Sequence, residues 1–211
     1  GRTYYVTANE GDDRDDFIPG EETSRIKDLA LDPTAFPNAA ELQADAAIGR
    51  LAVTTFDGDI DDDGDFDRLY ALGGRSFSIW ADDGTQLYDS GADFERITAQ
   101  RYPRNFNANN DENDPEGRSD NKGPEPEGVV LGQISGRTFA FIGLERIGGI
   151  MVYDVTDPMT PRFVQYQPAL DGDIAALLRK RLEKVTFKLG ARVERIEGNS
   201  VHYSDADGEA T

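Results

Sequence analysis

No cysteine occurs anywhere in the 211 residues. That absence excludes disulfides, thiolate zinc sites, iron–sulfur clusters and a cysteine nucleophile, and it leaves the redox compartment open. Histidine is almost as scarce: the single one, His202, lies near the C-terminus. Residues 1–166 therefore hold neither a Ser–His nor a Cys–His pair, so metal-assisted hydrolysis is the remaining enzymatic route there. No run of about 18 apolar residues appears, so no membrane span is expected. The opening GRTYYVTANEG lacks the basic, apolar and small-residue series of a signal peptide. It starts inside a strand-like pattern, as a chain missing its beginning would. Basic side chains are few, 22 against 41 acidic, for a net charge of −19. Phosphate backbones are held by Lys and Arg, so no nucleic acid is expected as partner; divalent cations are.

Composition changes once, near Tyr166. Residues 1–166 carry 15 basic and 33 acidic side chains, and residues 167–211 carry 7 and 8. The first part has thirteen Arg to two Lys, the second four to three. Two segments are therefore expected, 1–166 and 167–211.

The first segment reads as mainly β. Short apolar or alternating runs recur between turn signals at 3–8, 51–56, 68–74, 76–81, 128–134, 138–145 and 150–155. Helical spacing is confined to AAELQADAAIG (39–49) and DFERITAQRY (93–102). From Pro103 to Gly128 the chain is polar and rich in Asn, Asp, Pro and Gly, which predicts a long loop. Strands joined by Asp-Gly turns favour a sandwich or propeller over a parallel α/β sheet.

SFSIWADDGTQLYDSG (76–91) and GGIMVYDVTDPMTPRFVQY (148–166) look like propeller blade pieces with an Asp-Gly or Asp-Pro turn between strands. Together with YYVTANEGDDRDD (4–16), FPNAAELQADAAIGRL (36–51), DGDFDRLYALGGRSFSIW (63–80) and SDNKGPEPEGVVLGQISGRTFAFIGLERIGGI (119–150), residues 1–166 closely resemble the choice-of-anchor I family. The resemblance implies a secreted or surface-anchored bacterial β-propeller, of a kind often labelled alkaline-phosphatase-like or esterase-like. It implies only a partial propeller of several blades, because the family domain is longer than this segment. An incomplete propeller would expose sheet edges, which invite self-association or pairing with the missing remainder.

The densest charge is GDIDDDGDFD (58–67), with six aspartates in ten positions. Asp59, Asp61, Asp63, Gly64, Asp65 and Asp67 match the first nine positions of a calcium loop: alternate side chains converge, Gly permits the sharp turn, and position seven offers a backbone carbonyl. Hard oxygen ligands suit Ca²⁺, and closely spaced carboxylates repel one another until a cation lies among them. Position twelve is Tyr70 rather than Glu, so this is no EF-hand. The alternative is a solvated acidic turn linking strand 51–56 to strand 68–74.

In NKGPEPEG (121–128), Glu125 and Glu127 flank Pro126, which puts both carboxylates on one side of an extended segment. By resemblance to esterase-like and phytase-like propellers, Glu10, Glu125, Glu127 and Glu145 would line a cation or phosphate-ester site, with Lys122 or Arg146 meeting an anion. The alternative is a proline-stiffened surface loop. Any enzymatic activity would be metal-dependent hydrolysis of the phosphatase or esterase kind, and no catalytic residue is assigned.

Residues 167–211 predict a helix, PALDGDIAALLRKRLEK (168–184), then strands at 185–198 and 199–210 separated by Gly198-Asn199. This helix–strand–strand unit resembles part of the NAD-binding domain of dihydrolipoamide dehydrogenases and related flavoprotein disulfide reductases. Lys184 runs into Val185 where that family has a Gly. The glycine fingerprints and redox cysteines are absent, so neither FAD nor NAD is expected. The two resemblances describe either a natural fusion or a composite sequence.

Overall fold

The computed structural model describes residues 2–110, 112–169, 192–197 and 200–204. It is mainly β, and its sheets are antiparallel. Two units separate, Gly1–Pro168 and Ala169–Thr211.

In the first unit, β1 (Tyr4–Glu10), β4 (Gly73–Ala81) and β5 (Gln86–Asp89) form a three-stranded sheet in the order β1-β4-β5. β2 (Thr23–Arg25) pairs with β3 (Ala52–Thr54). β6 (Pro126–Ile134), β7 (Arg137–Leu144), β8 (Ile150–Asp154) and β9 (Arg162–Gln167) make a four-stranded meander. Two short turns of helix are present, a 3-10 turn at Ile26–Asp28 and α1 (Ala39–Leu42), followed by the longer α2 (Asp93–Arg101).

Alternation along the strands decides what is buried. Phe77 and Ile79 of β4, Ala140, Ile142 and Leu144 of β7, and Met151 and Tyr153 of β8 point into one core. α2 closes it with Phe94, Ile97 and Thr98, the i, i+3, i+4 face of the helix. Asp93 and Glu95 in its first turn and Arg101 in its last complement the helix dipole. Aromatic rings fill the centre: Phe77 lies 4.8 Å from Tyr153 and 6.1 Å from Phe94, centroid to centroid. The Tyr153 hydroxyl satisfies itself by donating to Asp93 Oδ2 at 3.1 Å. Trp80 is half-buried and donates its indole N–H to Thr7 Oγ1 at 2.9 Å.

The Asp-Gly and Asp-Pro turns join β4 to β5 and β8 to β9 as the blade pieces implied, each pair antiparallel. Among the described residues no closed barrel or propeller ring forms. The strand expected at 68–74 is largely absent. Arg68–Leu72 touches β3 only through an isolated bridge between Ala71 and Val53, and β4 begins at Gly73. The amides of Asp67 and Arg68 turn back to the Gly58 carbonyl (2.8 and 3.0 Å), so closing the acidic loop uses donors a ladder would need. The helix expected over 39–49 shortens to α1 followed by turns.

One irregularity positions a functional side chain. The β1–β4 register shifts between Ala8 and Glu10, and Glu10 lies opposite Gly73. Gly73 has φ +63°, and a Cβ there would stand 2.0 Å from the Gly11 amide nitrogen. Only glycine lets the two strands approach so closely, and the bulge re-aims Glu10 at the end of the sheet.

In the second unit, β10 (Arg192–Glu197) pairs antiparallel with β11 (Ser200–Ser204), Glu197 opposite Ser200. The expected break at Gly198-Asn199 falls between these strands. The helix expected over 168–184 lies outside the described residues.

Candidate functional site

The aspartate-rich loop folds around its own first carboxylate. Asp59 accepts the Asp63 amide at Oδ1 (3.2 Å) and the Gly64 amide at Oδ2 (3.0 Å). Asp63 Oδ1 accepts the Asp65 amide at 3.2 Å. Positive φ at Asp62 (60°) and Gly64 (98°) produces the tight turn. Asp59, Asp61 and Asp63 each bring a carboxylate oxygen within 4.8 Å of the others.

Asp65 and Asp67 do not join that trio. They converge with Asp32 in a second group of three carboxylates meeting the same 4.8 Å limit. Asp67 Oδ2 is also fixed by the Ile60 amide at 2.9 Å. Asp32 was not legible as a site residue, because its partners arrive through a long-range connection. Leu31 forms a parallel bridge with Phe66, and the Asp32 amide donates to the Phe66 carbonyl at 3.1 Å. The only local signal is a turn, in which Asp32 Oδ1 accepts the amides of Thr34 and Ala35.

Electrostatics within the loop favour a cation. The Asp63 charge, then partial burial and the charges of Asp67 and Asp59, push the Asp61 carboxyl up. Burial, then the charges of Asp63, Asp32 and Asp67, does the same to Asp65. A divalent ion placed among the carboxylates would relieve this repulsion.

The second cluster lies where three chain corners meet: the end of β1, the loop before β6 and the turn after β7. Glu10, Glu125 and Glu145 bring carboxylate oxygens within 4.8 Å of one another. Cations already stand among them. Lys122 Nζ is 3.1 Å from Glu10, 2.8 Å from Asp12 and 3.2 Å from Glu125. Arg118 Nε donates to Glu125 Oε1 at 3.1 Å. Arg146 Nε lies 3.1 Å from Glu125 Oε2, and its terminal nitrogen 3.3 Å from Glu145. Arg118 and Asp12 were missed by sequence reasoning: Arg118 lies just before the motif that begins at Ser119, and Asp12 sits inside YYVTANEGDDRDD with nothing to distinguish it from its acidic neighbours.

Glu125 is wholly buried. Burial pushes its carboxyl up, but Arg118, Arg146 and Lys122 outweigh that and hold it at about 2. Burial raises Glu10 and Glu145, with the Glu125 charge adding to it. Lys122 is pulled down by burial but driven above the ordinary amine range by Asp12, Glu10 and Glu125. The ammonium of Lys122 thus already supplies positive charge between Glu10 and Glu125.

Glu127 does not belong to this group. Glu125 has φ +50°, so the segment is not extended there; Glu125 turns inward and Glu127 remains exposed. The geometric premise that both carboxylates share a side fails at that residue.

Comparisons with known proteins find two curated relatives and one family. The chain is 38% identical over 125 residues to gigasin-3a of Magallana gigas, covering 56% of this chain and 44% of that protein. It is 27% identical over 104 residues to the mesenchyme-specific cell surface glycoprotein of Strongylocentrotus purpuratus, covering 43% of this chain and 13% of that one. The chain therefore spans less than half the length of these curated relatives. The expected bacterial source draws no support from them. No solved structure matches. The likeness of residues 167–211 to dihydrolipoamide dehydrogenases has no support in any match. The profile of the choice-of-anchor I domain matches residues 1–158, well over half of the chain, and the chain therefore belongs to the choice-of-anchor I family.

Proposed function

We propose that this chain is a calcium-binding module of a secreted or cell-surface protein, with the ion held by Asp59, Asp61 and Asp63. The observation that carries this reading is the convergence of three carboxylates on a turn whose Asp59 is already oriented by two backbone amides. Acidic oxygen ligands on a surface loop suit Ca²⁺ better than Mg²⁺, which demands stricter octahedral geometry. Asp32, Asp65 and Asp67 provide a neighbouring group of the same chemistry. Family membership and the surface location named for the urchin relative support an extracellular setting. The described residues contain no helix long and apolar enough to cross a membrane. The β6–β9 meander is a four-stranded antiparallel sheet, the strand number and pairing a propeller blade would have.

Phosphoester hydrolysis is the weaker reading. Lys122 and Arg146, the cations that would meet a phosphate, are both engaged by Glu125. Among the described residues, each cation of that cluster already faces a carboxylate.

Thermal melting with and without chelator tests the proposal. Removal of calcium is expected to lower Tm and its return to restore it. The triple change Asp59→Asn, Asp61→Asn and Asp63→Asn should abolish the response, and Asp32→Asn should leave most of it. A melting curve that does not move with chelator or calcium contradicts the proposal.

A further inference from the structure

Segments 11–22 and 55–70 together carry thirteen acidic residues against two arginines, Arg14 and Arg68. Of these acids only Asp12, held by Lys122, and Glu22, clamped by Arg14, form ion pairs among the described residues. The same loops expose large apolar side chains: Phe17 is 86% exposed, Phe56 53% and Ile60 58%. Arg14 links two of them, Phe17 and Phe56. The Arg14 carbonyl accepts the amides of Phe17 and Ile18 at 2.7 and 3.1 Å, a single turn that carries Phe17 outward. The Arg14 guanidinium lies over the Phe56 ring, 5.2 Å from its centroid. Ile60 follows four residues later, its amide tied to Asp67. A solitary exposed apolar residue is ordinary. Several on adjoining loops, rimmed by unpaired carboxylates, are the composition of an interaction site.

We propose that these loops form a docking surface for a basic, amphipathic polypeptide segment, whose Lys or Arg side chains meet Asp13, Asp15, Asp16 and Asp57 while its apolar residues cover Phe17 and Phe56. Charge complementarity selects this occupant. An anionic membrane is repelled by the same carboxylates, and an uncharged partner would strip them of water without replacing it. The four aspartates lie outside both carboxylate trios of the 58–67 loop, so the surface does not depend on calcium binding there.

The test is fluorescence anisotropy of the intact chain with a labelled Lys–Leu peptide and a Lys–Ser peptide of equal charge and length. Phosphatidylserine vesicles with calcium serve as a third probe. The Lys–Leu peptide is expected to bind about tenfold more tightly than Lys–Ser, as burial of one large apolar side chain implies. Phe17→Ser and Phe56→Ser should each weaken Lys–Leu binding by about tenfold and leave Lys–Ser binding unchanged. Both side chains are exposed, so the variants should melt as the wild type does. Equal binding of the two peptides, absence of binding, or indifference to both substitutions overturns the proposal. Vesicle binding in place of peptide binding assigns the surface to a membrane and overturns it as well.

Discussion

Glu125 is the residue on which the corner of the first unit turns. Its carboxylate is wholly buried and meets Arg118, Lys122 and Arg146. Removing one member of a buried charge group leaves the others uncompensated, which costs about 3–5 kcal/mol. Glu125→Gln should therefore lower stability by about 3 kcal/mol in urea denaturation, whereas Glu127→Gln, on an exposed side chain, should change it by less than about 0.5 kcal/mol. The pH dependence follows from the direction of each shift. Glu125 is depressed to about 2 from an ordinary 4.5, so its contribution is present above 4.5 and is lost as pH falls toward 2. Glu10 and Glu145 are raised; their contribution has the opposite sign, being present below the ordinary carboxylate range and lost as pH rises through their folded values. The penalty of Glu125→Gln should accordingly shrink as pH is lowered from 4.5 to about 2, which denaturation at a series of pH values measures. Sequence reasoning named Glu10, Lys122, Glu125, Glu145 and Arg146 through resemblance, and these do meet. It misplaced Glu127 because period-2 alternation assumes extended backbone, and the φ of +50° at Glu125 breaks it. Arg118 was invisible because its contact with Glu125 depends on how loop 103–125 folds back.

At the scale of elements, strands with alternating or apolar patterns were the most legible. β1, β4, β6, β7 and β8 lie close to the runs read from TYYVTA, SFSIWA, GVVLGQI, TFAFIGLE and IMVYDV. β2 and β3 are three residues each, too short to leave a periodic signal. RLYALGG carries a strand-like composition, yet the amides of Asp67 and Arg68 are consumed by Gly58 in closing the acidic loop. Tertiary demand overrode propensity there. Core energetics should follow burial rather than strand membership. Phe77 on β4 is wholly buried against Tyr153 and Phe94, so Phe77→Ala should cost about 3–5 kcal/mol. Val130 on β6 is 68% exposed, and Val130→Ser should change stability little. Parallel chemical denaturation of the two variants checks the contrast. Among the described residues β6 pairs only with β7 and forms one edge of its sheet.

Over the whole molecule, charge is the dominant property. A net −19 disfavours compaction through self-repulsion, and most of it resides in the first unit, concentrated in loops around two carboxylate trios. Monovalent salt should raise Tm by screening. Calcium at matched ionic strength should raise it further if ions bind at those trios rather than merely around them. Composition pointed to a cation partner from the outset. It could not reveal that the aspartate run divides, three residues to one group and two to another completed by Asp32, because that division depends on a bridge between Leu31 and Phe66.

Anomalous X-ray diffraction from crystals grown in calcium tests the central claim most directly. A calcium peak bounded by the carboxylates of Asp59, Asp61 and Asp63, at oxygen distances of about 2.3–2.6 Å, is the expected result. A map with no anomalous peak at that loop, its side chains turned to solvent despite calcium in the mother liquor, would contradict it.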